Sequence, residues 1–147
     1  MASIGPYSKF SGRLIVIEPT RRWQVLVNWD GTPERGLIRL THAASNRIIQ
    51  LSWHDDITHI LDNRDPAGEW KAVTKEEIIK QGVILPPQQL ALILSGKLPK
   101  SFIQKKPGRW QGKINKTFLK IKWSAEKHKL ELMDITHGRQ AILIIQP

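Results

Sequence analysis

His54, Asp55, Asp56 and His59 stand inside one seven-residue string, WHDDITH (53–59). Imidazoles and carboxylates are the ligand types of a divalent metal site and the working groups of acid–base catalysis. The spacing argues otherwise. Asp55-Asp56 reads as the turn between two strands, which leaves the two histidines on different strands. His42, His128 and His137 stand singly near turns. The chain contains no Gly-x-Ser-x-Gly, no phosphate loop, no zinc-protease pattern and no carboxylate pair placed by a motif. Cysteine is absent, so neither a disulfide nor a thiolate metal site can form. The expectation from these residues is that the chain is no hydrolase, with no catalytic residue and no metal at these positions.

The chemistry left is charge and grease. The formal charge is +10. Between Lys97 and Lys129 eleven Lys and Arg face the single Glu126, so eleven minus one accounts for all of it. Lys105, Lys106, Arg109, Lys113, Lys116, Lys120 and Lys122 form the candidate patch for an anionic partner: an acidic protein, a phospholipid surface or a nucleic acid. The plainer reading is a solvated outer sheet face, where lysines also discourage edge pairing.

Six tryptophans are present. Trp23, Trp29, Trp53 and Trp123 sit on the apolar phase of their strings, which suits a core or a cavity wall. Stacking on bases needs aromatics beside lysines on one exposed face. Trp123 lies opposite Lys120 and Lys122 in phase, which argues against nucleic acid; Trp110, beside Arg109, is the best exception.

The elements that position these groups are mostly strands. RLIVI (13–17), WQVLVNW (23–29), LIRLTH (37–42), RIIQLSW (47–53), ITHIL (57–61) and EWKAV (69–73) come first, with Asp30-Gly31 expected to turn at a positive φ. RWQGKIN (109–115), TFLKIKW (117–123), KLELMDI (129–135) and RQAILIIQ (139–146) follow the prolines of the middle third. Between the two sets the period changes. Thr74 with Glu77 is a capping box that starts a helix over about 75–81, with Gly82 as its stop. Pro86-Pro87 starts a second helix over about 87–95. Leu90, Ile93 and Leu94 share a face of it and Leu92 widens the stripe, so this helix is apolar nearly all round.

Hydrophobic content of 40% over 147 residues supports one domain, 1–147, with a real core. No apolar run approaches the ~18 residues that would span a bilayer. The fold class expected is mainly β (α+β): an unclosed antiparallel β-barrel of about ten strands, with two helices inserted as a lid or plug on the concave face.

Three strings in this order resemble the LolB family of bacterial outer-membrane lipoprotein receptors, and more distantly the periplasmic carrier LolA. They are SGRLIVIE, LIRLTHAASNRIIQLSW, and WKAVTKEEIIKQGVILPPQQLALILSGKLP with its Gly96 to Pro99 step. The resemblance covers about residues 10–146. It implies a half-barrel with a helical lid over a hydrophobic cavity that holds lipoprotein acyl chains, a non-enzymatic task with no catalysis and no cofactor. It also implies the periplasm, a carrier protein and an anionic membrane surface as partners, a monomer, and an outer-membrane anchor in a full-length precursor. No lipobox cysteine is present, and MASIGPYSKF has no signal pattern, so an exported chain would be seen here trimmed. Family receptors carry a leucine in the loop that matches His42-Ala43-Ala44-Ser45-Asn46, where this chain has no large apolar residue.

Two functions follow. In the first, Val25, Val27, Trp29, Leu40, Leu51, Trp53, Leu90, Ile93, Leu94, Leu119, Ile121 and Trp123 wall a cavity for an acyl chain or another lipid-like ligand, under a lid formed by 75–96. In the second, the core is filled, and the chain is a basic binding module for an acidic protein or nucleic acid.

Overall fold

The computed structural model describes residues 4–80, 84–114 and 116–146. Among the described residues eleven strands run in chain order, with two helices between the sixth and the seventh. They are β1 (Lys9–Ile17), β2 (Arg22–Gly31), β3 (Arg35–His42), β4 (Arg47–His54), β5 (Ile57–Asp62) and β6 (Lys71–Val73), then α1 (Lys75–Lys80) and α2 (Pro87–Leu94). β7 (Ile103–Lys106), β8 (Arg109–Ile114), β9 (Thr117–Ser124), β10 (Lys129–Asp134) and β11 (Arg139–Gln146) complete the chain.

All eleven strands form one antiparallel sheet in the order β6-β5-β4-β3-β2-β1-β11-β10-β9-β8-β7. Each strand pairs with its sequence neighbour, except that the first also closes onto the last, Leu14 opposite Leu143. The two ends of the sheet, β6 and β7, do not meet, so the expected unclosed half-barrel is the observed fold. Its edges are protected as open edges require. β6 is three residues long, and β7, IQKK, is exposed throughout and carries a bulge between Gln104 and Lys106. Being short, charged and without an apolar phase, β7 escapes sequence reading, and it is the strand beyond the expected ten.

One phase of every long strand is buried. Trp29 opposite Ile38, Ile38 opposite Leu51 and Leu132 opposite Ile121 continue the inner face from strand to strand. Trp29 stacks on Phe10 at 5.8 Å and meets Trp53 at 5.2 Å between ring centroids. The expected turn at Asp30-Gly31 is corrected. β2 continues through Gly31, which pairs with Gly36, and the turn falls at 32–34. The reason is Trp53. A Cβ at Gly31 would lie 2.5 Å from its ring and one at Gly36 2.4 Å, so the two glycines make the seat on which the indole rests. The Trp53 indole N–H then donates to the Thr32 carbonyl at 2.8 Å.

The helix signals act as read. The Thr74 hydroxyl accepts the Glu77 amide and donates to its carboxylate, both at 3.2 Å. Residue 81 and the Gly82 stop lie outside the described residues. α2 begins at Pro87 and ends in a Schellman closure: Gly96, at φ +88°, donates to Ile93, and Lys97 donates to Leu92. Its burial is one-sided rather than all round. Ile93 and Leu94 are fully buried, whereas Leu90 and Leu92 are half-buried. Both ends of α2 are pinned. Gln88 donates to the Asp55 carbonyl and the Thr58 hydroxyl at 3.0 Å, and the Leu94 carbonyl accepts the Tyr7 amide at 2.8 Å. α1 is held by less: of its described side chains, Ile78 alone is buried.

Candidate functional site

The inner face of β1–β4, β10 and β11 leaves space beneath α2. A cavity of about 80 Å³ lies there. Leu14, Val16, Val27, Trp29, Ile38 and Leu132 are among its sheet walls, and Ile84, Leu85, Pro87 and Leu90 supply its roof. Every lining side chain is aliphatic or an indole. It is smaller than the ~150 Å³ engineered cavity that admits benzene, so a long chain does not fit in it alone and has to run on into adjoining space.

A second, open pocket of about 360 Å³ adjoins it, and Trp23, Leu40 and Leu51 line both. Its floor is apolar: Val25, Ile49, Ile60 and Val73 from the sheet and Ile78 from α1. Its rim is cationic and polar, formed by Arg21, Arg47, Arg64, His42 and Ser45. Arg47 sits on the buried phase of β4, in step with Ile49, Leu51 and Trp53. Its guanidinium donates to Asp62 at 2.7 Å. That bond holds the Asp62 carboxyl below its usual range, against the opposing push of partial burial. Likewise, the Trp23 indole donates to Glu18 at 2.9 Å and lowers that carboxyl, with Arg21 adding to the effect. Both acids are therefore ionised at neutral pH.

Of the twelve wall residues expected from sequence, six line one or both spaces: Val25, Val27, Trp29, Leu40, Leu51 and Leu90. The other six are buried in packed core instead. Ile93, Leu94 and Leu119 are fully enclosed, and Trp53, Ile121 and Trp123 nearly so. Sequence reading missed the β10 and β11 walls, Leu130, Leu132, Ala141 and Leu143, and the rim arginines. Alternation in RIIQLSW carries the Arg47 signal, since it places the arginine in phase with three apolar residues.

The basic segment does gather. Lys105, Lys106, Arg109, Lys120 and Lys122 line an outer groove of about 400 Å³, in which Arg109 of β8 stands at the register position opposite Lys122 of β9. Lys113 and Lys116 are exposed beyond its lining. Glu131 tempers the groove, 4.0 Å from both Lys122 and Lys129. Trp110 stands opposite Ile121, half-buried and packed on the core, and its remaining surface lines the same groove beside the basic residues.

The candidate metal string resolves as a hairpin. His54 ends β4, His59 lies within β5, and Asp55, at φ +53°, forms the turn with Asp56. No cluster of three or more metal-ligand side chains occurs among the described residues. Asp134 is buried but fully engaged, accepting from the His137 amide and ring and from Arg139. No described helix is long and apolar enough to cross a membrane. No family model and no curated protein matches the chain.

Proposed function

We propose that the protein is a non-enzymatic holder of acyl chains or a similar lipid-like ligand, a LolB-like half-barrel of the periplasmic space. One observation carries this reading: an apolar cavity under α2 adjoins an open pocket whose floor is apolar and whose rim is polar. A binding site for a greasy chain needs such walls left unfilled by the protein's own side chains. Each methylene moved from water to the cavity contributes about 0.8 kcal/mol, so a chain binds without polar contacts. The pinning of α2 makes it the fixed roof. α1, anchored through Ile78 on the pocket floor, is the lid that shifts to admit ligand.

A second reading has its own support. Half the expected wall is filled core, and the outer groove concentrates five basic residues. On that reading the chain docks an acidic protein or a nucleic acid through Arg109, Lys120 and Lys122.

Uptake of the neutral probe N-phenylnaphthylamine separates the two. The first reading expects saturable fluorescence enhancement that persists at high salt and is abolished by Leu90→Glu. Leu90 is half-buried on the cavity wall, so the variant should keep its far-UV circular dichroism. A folded variant with unchanged uptake would show that the cavity assignment is wrong. Absent uptake, with polyanion binding that fades steeply with salt, would favour the second reading.

A further inference from the structure

We infer that the open pocket is a headgroup site, and that the ligand is an amphiphile whose single apolar chain ends in a carboxylate or a phosphate. The inference rests on the reading of the apolar space as a ligand site and names the chemistry of its other end. Three guanidinium groups, those of Arg21, Arg47 and Arg64, line one pocket together with five aliphatic floor residues and Leu51. No carboxylate is among its described lining residues. An acyl site for a neutral ligand has no use for this arrangement, since each arginine carries charge to the edge of a greasy wall. An anionic head at the rim uses it fully. Guanidinium matches carboxylate and phosphate through paired N–H donors, and its bonds to them are the stronger, charge-assisted kind.

Arg47 shows how the site is built. It arises on the inward phase of β4, next along the face from Ile49. Asp62 takes one Nη2 hydrogen at 2.7 Å, while the Nε–H is sealed from solvent and meets no acceptor among the described residues. Asp62 also accepts the Arg64 backbone amide at 3.0 Å, so one carboxylate orients the Arg47 guanidinium and fixes the backbone from which Arg64 extends. Arg64 reaches the Ser45 carbonyl at 3.3 Å, which holds its guanidinium against the β3–β4 loop. Arg21 is tied back to Glu18 at 3.3 Å, beside the Trp23 indole that lines both spaces. Three cations against two engaged carboxylates leave a net positive rim. A chain whose head bonds there has its first methylenes on Ile49 and Ile60, and its tail directed towards Leu40, Leu51 and the cavity beyond.

The test compares decanoate with decanol, two ligands of equal chain and different head, by calorimetric titration at neutral pH. The expected result is that decanoate binds at least about tenfold tighter, the scale of one hydrogen bond to a charged group. Arg64→Gln, and the double variant Arg47→Gln with Asp62→Asn, which leaves no uncompensated acid, should shrink that advantage to within about threefold. Equal affinities in the unaltered protein would overturn the headgroup and leave the apolar cavity standing. Failure of both ligands to bind would overturn the cavity reading with it. Retention of the full advantage in both variants would place the head elsewhere and sink the inference. Displacement of decanoate by millimolar inorganic phosphate would assign the pocket to a free anion instead of an amphiphile.

Discussion

At the scale of single residues, the decisive features are those that break the local pattern. Arg47 stands where alternation calls for an apolar side chain, and Gly36 stands where a strand calls for a branched one. Each is visible in the sequence as an exception, but its purpose depends on a partner that only the fold supplies. Arg47 meets Asp62, fifteen residues away, and Gly36 lies opposite Trp53, seventeen residues away. The seating of Trp53 gives a direct check. Gly36→Ala would place a methyl 2.4 Å from the indole and 2.6 Å from the Gly31 backbone. Overpacking of this kind costs about 1–3 kcal/mol, so the urea midpoint should fall while the m-value is unchanged. A midpoint equal to that of the unaltered protein would mean that the ring does not rest on the glycine pair. His54, Asp55, Asp56 and His59 teach the opposite lesson. Their types suggested chemistry, and the backbone turn between them disperses it.

At the scale of elements, strands with an apolar phase were legible and those without one were not. β2, β9 and β11 begin and end within a residue or two of where alternation places them. β7 was invisible because IQKK has no buried side to alternate with. α2 was legible from Pro87 and Gly96, yet its composition overstated its burial. A continuous apolar string cannot reveal that Leu90 faces a space while Ile93 and Leu94 face a packed sheet. The two helices also differ in anchorage, which sequence cannot show. α2 holds buried residues along its length and hydrogen bonds at both ends, whereas α1 presents one buried anchor among its described side chains. Local stability follows buried contacts. Backbone amides of α1 should therefore exchange with deuterium at least ~100-fold faster than those of Ala91–Leu94, by local opening without global unfolding. Equal protection in the two helices would remove α1 as the moving lid.

At the scale of the whole molecule, the half-barrel follows from two simple facts: strands in sequence pair as neighbours, and the helices sit between the sixth and the seventh. The chain therefore builds an open sheet around one apolar face, and the helices have that face to cover. The cavity itself was beyond sequence, because unfilled volume depends on how side chains from six strands meet the roof. The charge of +10 was legible, and its grouping on the surface was not. All of it falls within 97–129, where part lines the outer groove; the cationic rim of the pocket is a local excess in the remainder of the chain, whose charges balance overall. The central claim is that this molecule holds an acyl chain between its sheet and its helices. Native mass spectrometry of the purified protein, before and after exposure to decanoate and to a diacylated peptide, tests it most directly. The account predicts a one-to-one adduct with at least one of the two that survives high salt before desalting and is lost in Leu90→Glu. A clean ligand-free mass with both, at concentrations up to the solubility of each, would contradict the account and leave α2 as nothing more than core.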